Sequence, residues 1–204
     1  TLITVVTNGM DTFSSASGLG QVSAVICLLI LIYAAFPIAH VVRTAGDSLA
    51  ASKSNSVDFI FRDFITENIK ALGHITALVA LFGALCSTVG WVLNSDGMAM
   101  SVDLYGGFAY AYALPLDATA AFIEMIRLDF VGGVISDFFN WDLTGSGASG
   151  YNIDGLVAVG YEYVQVILIL AKLYLALAIY HFFYGVLSTL TRWIQSPSLP
   201  FKSS

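Results

Sequence analysis

Lys172 lies inside the apolar run VILILAKLYLALAIY. An ammonium group in such surroundings costs several kcal/mol unless it pairs or reaches water. On a helix, Glu162, Gln165 and Lys172 fall within about 80° of one another. Nearly opposite lies a second polar stripe of Tyr163, Tyr174, His181, Ser188 and Arg192. Polar groups on two sides predict protein or water on two sides, so this helix is expected between partner subunits or copies of its own chain. Lys172 is the residue whose chemistry suits an ion or proton path. The simpler expectation is a lysine that snorkels along its ~6 Å stem toward the outer end of its apolar run at Val164, or one held in an interchain ion pair.

The histidines suggest different chemistry. Counting ~1.5 Å per residue, His40, His74 and His181 lie near one face of the membrane, and neutral imidazoles at matched depth are ligands for haem or copper. Each stands alone on its segment, with no carboxylate in the same turn to fix its tautomer. A haem- or quinone-linked redox role is therefore the alternative reading, and hydrogen-bonded interfacial histidines the plainer one. Cys27 and Cys86 also fall at similar depth within apolar segments, as small fillers in contact rather than as a disulfide framework. No nucleophile triad, phosphate-binding glycine loop, dinucleotide fingerprint or Cys/His metal box is present. The chain is not expected to be an enzyme, and its basic residues are too few for nucleic acid.

The elements that must carry these residues are membrane helices. No charge falls between Lys70 and Asp96, a gap long enough for one helical crossing of about 20 residues. Within it Gly73, Thr76, Ala77, Ala80, Gly83, Ala84, Ser87 and Gly90 share one side, and Ile75, Leu78, Phe82, Leu85, Val89 and Leu93 the other. Small residues let helix backbones approach closely in lipid, so the first set predicts a helix-packing face and the second a lipid face. Gln21–Val42 is a further uncharged segment, kinked by Pro37 about one turn from its inner end. Gly155–Gln195 is a third. If continuous it measures ~61 Å, twice the ~30 Å hydrocarbon core, so it must tilt, project or bend, with Gly185 and Ser188 as the places for a bend.

Composition agrees: 57% of the 204 residues are hydrophobic and 11% charged, against roughly 25% charged in soluble domains. The expected class is an all-α integral membrane protein forming one membrane domain. Its three transmembrane helices cover about 21–43, 71–94 and 160–190, joined by an inner loop 44–70 and an outer loop 95–155, with interfacial amphipathic helices. Thr44–Ser56 reads as loop, and Val57–Lys70 as an amphipathic helix on the inner surface. Leu2, Val5, Val6, Met10 and Phe13 suggest either another at the outer surface or a frayed terminus, and no signal peptide is read there. Eight acids against Arg127 alone lie between Asp96 and Asp154, whereas Arg43, Lys53, Arg62, Lys70, Arg192 and Lys202 flank the other side. Retention of Lys and Arg in the cytoplasm predicts the N-terminus outside and the C-terminus inside, in a bacterial inner membrane. The aromatic-rich segment 95–152 is expected at the outer interface, with 104–126 as a candidate re-entrant piece, Ala118–Val131 helical and Glu124 paired with Arg127.

The functional expectation is a non-catalytic subunit of a multi-subunit membrane complex, in a structural, assembly or conduit-forming role within a secretion, transport or electron-transfer system. Its partners are other membrane subunits, further copies of itself, and lipid. A channel or carrier using Lys172 is the third reading.

Overall fold

The computed structural model describes residues 10–11, 13–14, 18–95, 133–134, 137–138 and 151–195. Most of the outer segment, including 104–126 and the Glu124–Arg127 pair, and most of the N-terminal amphipathic stretch lie outside them. The described residues form three long helices and no strand. Helix α1 is Leu19–Ala50, α2 is Ser56–Val92 and α3 is Ile153–Gln195. All three are long and apolar enough to cross a membrane.

Each helix starts and stops for local reasons. Gly18 precedes α1 at φ 57°, backbone that a side chain would strain. Helix α1 passes through Pro37 and runs on to Ala50, past the expected loop start at Thr44. The Thr44 hydroxyl bonds His40 O at 2.9 Å and Arg43 pairs with Asp47 at 3.8 Å, so both support helical turns where Gly and Ser content suggests a loop. The loop shrinks to 51–55. Asn55 then caps α2, its Oδ1 accepting the Asp58 N–H at 2.9 Å.

The amphipathic stretch is not a separate surface helix. It is continuous with the central span through a six-residue π-helical segment, Phe59–Phe64. Helix α3 is likewise unbroken over 43 residues, Gly185 and Ser188 included. There the Thr189 hydroxyl bonds Gly185 O at 2.8 Å.

Helix α2 lies between α1 and α3, antiparallel to both. On the α1 side Cys27 meets Cys86 and the Tyr33 ring meets Phe82, centroids 6.2 Å apart. On the α3 side Ala77 and Ala80 pack against Ile169, and Ile69 packs against Leu173 and Leu177. The end where α2 gives way to residues 93–95 and α3 begins is tied by ring stacking and hydrogen bonds. Trp91 stacks on Tyr151 with centroids 4.8 Å apart and donates Nε1–H to Asn152 O at 2.9 Å, while Asn94 Oδ1 accepts the Tyr151 N–H at 2.8 Å. Asn94 itself turns the chain at φ 47°, a conformation asparagine tolerates better than most residues.

These pairings put Gln21–Val42, Ala71–Val92 and Ile153–Leu177 at one level. The middle stretch is about 33 Å long at 1.5 Å per residue. Beyond that level all three helices continue on the side of the 51–55 loop. There the hydroxyl of Tyr180 bonds Phe61 O and that of Tyr184 bonds Asp58.

Candidate functional site

The small face of α2 divides when it meets its neighbours. Gly73, Ala77, Ala80, Ala84 and Gly90 are buried, whereas Gly83 and Ser87 are half-buried. A methyl group added at Gly83 would meet nothing within 4 Å, so among the described residues no neighbouring helix makes use of its missing side chain. Phe82, assigned by size to the lipid face, is 8% exposed because α1 covers it. A central helix with a neighbour on either hand has two contact faces, and sorting by size finds only the one made of small residues.

Glu162 and Ser87 come together: the serine hydroxyl donates to Glu162 Oε1 at 3.0 Å. One residue along each helix, the hydroxyls of Thr88 and Tyr163 are 2.9 Å apart. Tyr174 reaches His74 Nε2 at 3.4 Å. Members of both polar stripes of α3 therefore bond to the same helix, because α2 spans the arc between them. The inference that two polar faces require two outside partners fails for Glu162, Tyr163 and Tyr174. Lys172 is half-buried and lies about 8 Å along the axis from the level of Leu177 but about 28 Å from Ile153. Its shorter route to the end of the level is thus opposite to the outward one drawn from Val164.

The histidines do not assemble. His74 is bonded at both nitrogens, Nδ1 to Lys70 O at 2.7 Å and Nε2 to Tyr174. His40 is exposed on α1, and His181 is exposed on α3 about two turns beyond Tyr174. Among the described residues no group of three or more His, Cys, Asp or Glu could hold a metal ion. The matched depth counted from the sequence holds for His40 and His74 only.

What sequence reading missed is a polar cavity of about 640 Å³ where the 51–55 loop, the start of α2 and α3 meet. Its wall includes Ser52, Lys53, Ser54, Arg62, Asp63, Thr66, Glu67, Lys70 and His181. Asp63 anchors it: Arg62 Nε donates to Oδ1 at 2.7 Å, and the Ser52 and Ser54 hydroxyls donate to Oδ2 at 2.5 and 2.6 Å. Lys70 Nζ pairs with Glu67 at 2.9 Å. The signal in the sequence was Ser52-Lys53-Ser54 set close before the charge-rich start of α2. Only the turn of the 51–55 loop, with His181 arriving from α3, makes it a cavity.

No known protein family, curated protein or solved structure matches the chain.

Proposed function

We propose that the chain spans a membrane three times and serves as a non-catalytic subunit of a multi-subunit membrane complex. The observation that carries this reading is the far end of α3. Past Tyr184, which meets Asp58 in the first turn of α2, the helix continues to Gln195. On that stretch Leu187 is 61% exposed, Leu190 51% and Ile194 72%. Their i, i+3, i+7 spacing makes one apolar face. This face lies roughly 60–120° round α3 from Tyr184, beside the side that packs on α2, and it runs on where α2 has ended. Leu177 marks the end of the level shared by the three helices, and α3 extends about 27 Å beyond it. A second membrane subunit seated along this extension would cover the exposed leucines.

The flanking charges support an orientation with Lys53, Arg62, Lys70 and the end of α3 on the cytoplasmic side of a bacterial inner membrane. The test is extraction of the full-length tagged chain in mild detergent, followed by native gels and mass spectrometry of what accompanies it. The pair Leu187→Asn with Ile194→Asn is expected to leave insertion intact and move the chain from a large assembly to its own mass. Migration unchanged by the double substitution would count against the reading.

A further inference from the structure

We propose that the cavity at the 51–55 loop is a binding site for a phosphate group, carried on the headgroup of an anionic phospholipid. Three cations, Lys53, Arg62 and Lys70, face two carboxylates, Asp63 and Glu67, leaving one net positive charge among these five side chains. Both carboxylates are already engaged, and the cations keep donors to spare. Arg62 commits Nε to Asp63 and Lys70 commits one contact to Glu67, while Lys53 has no carboxylate within ion-pair range among the described residues. A monoanionic phosphate diester matches that balance.

Thr66 supplies an independent observation. The other described helical threonines, Thr44, Thr76, Thr88, Thr189 and Thr191, each donate to the carbonyl four residues back. Thr66 does not. It is 8% exposed, lines the cavity and has a hydroxyl with no partner. The carbonyl it would use, Arg62 O, receives the Ile65 N–H at the end of the π-helical segment. A buried donor is left unspent beside the cations where the helix is irregular, which is costly unless something binds there.

The position favours a lipid over a soluble phosphate. Lys70 borders the uncharged stretch of α2, and Thr66, Glu67 and Arg62 follow within the next two turns, roughly 12 Å. That is where headgroups lie beyond a ~30 Å hydrocarbon core. The volume suits a headgroup, since small-molecule sites typically enclose about 300–1,000 Å³.

The lipid source rests on the three-span reading, and the two fail differently. A chain absent from the membrane fraction defeats that reading, whereas lipid binding indifferent to cavity substitutions defeats this one. Native mass spectrometry of the purified full-length chain, titrated with phosphatidylglycerol or phosphatidylcholine, provides the measurement. One phosphatidylglycerol is expected to stay bound per chain, at least tenfold tighter than phosphatidylcholine. Lys53→Gln with Lys70→Gln should abolish that preference, and Arg43→Gln, a basic change outside the cavity, should preserve it. Thr66→Val keeps every charge and the side-chain shape, and should weaken binding several-fold even if the double variant fails to fold. Equal binding of the two lipids, retention of the preference in a folded lysine double variant, or undiminished phosphatidylglycerol binding by Thr66→Val would overturn the proposal. Displacement of the lipid by an equal concentration of inorganic phosphate would overturn the lipid assignment.

Discussion

At the scale of single residues, polar groups within apolar helices are expensive, and the chain places several where they bond across the α2–α3 boundary. The Thr88–Tyr163 pair, 2.9 Å between hydroxyls, is the cleanest to measure because neither group carries a charge. Thr88 also donates to Ala84 O at 2.8 Å, so Tyr163 is assigned as donor and the threonine oxygen as acceptor. Interhelical hydrogen bonds in membranes average about 0.6 kcal/mol in double-mutant cycles. A cycle of Thr88→Val and Tyr163→Phe, read by unfolding in mixed micelles, is expected to return a coupling of that size. A coupling indistinguishable from zero would mean the two hydroxyls do not meet. These bonds were only half legible in the sequence. A helical wheel shows that Glu162, Tyr163, Tyr174 and Ser87 lie on helix faces. Which faces meet depends on a register that only long-range packing sets.

At the scale of elements, the three helices were legible because uncharged length is a one-dimensional signal, read without knowing any neighbour. Their ends were less so. Thr44–Ala50 carries the Gly and Ser content of a loop but is held helical by Thr44 and by Arg43 with Asp47. The π-helical segment has no composition that announces it, and with it the cavity stayed hidden. Packing also separates two residues that the size pattern treats alike. Ala80 is 8% exposed and packs against Ile169, whereas Gly83 has open space where a side chain would begin. Ala80→Leu must push α3 aside and is expected to destabilise the bundle by about 1–3 kcal/mol. Gly83→Leu should leave the stability of the isolated chain within about 0.5 kcal/mol, the range of substitutions that disturb no packed feature. Thermal unfolding of the two variants in one detergent compares them directly, and equal losses would contradict the packing described.

For the whole molecule, the level shared by Gln21–Val42, Ala71–Val92 and Ile153–Leu177 makes a claim that none of the helices makes alone. If that level is the hydrocarbon core, the end of α3 stands in water or against a partner, although its own composition is that of a membrane span. Leu190, thirteen residues past Leu177 and 51% exposed, would then lie about 20 Å beyond the core. A strongly tilted α3 immersed along its length would instead keep Leu190 in lipid. Thiol reactivity separates the two, because maleimide attacks the thiolate and a thiol in hydrocarbon stays protonated. In a chain carrying Cys27→Ala and Cys86→Ala, single substitutions Tyr151→Cys, Ala80→Cys, Ser52→Cys and Leu190→Cys give one reporter each. The purified chain in closed vesicles, free of partner subunits, is treated with a membrane-impermeant maleimide before and after permeabilisation. Ala80→Cys, buried at mid-level, should resist throughout. Tyr151→Cys should react on one side, and Ser52→Cys together with Leu190→Cys on the other, at comparable rates. Should Leu190→Cys resist as Ala80→Cys does, the projecting helix is wrong, and with it the surface assigned to a partner.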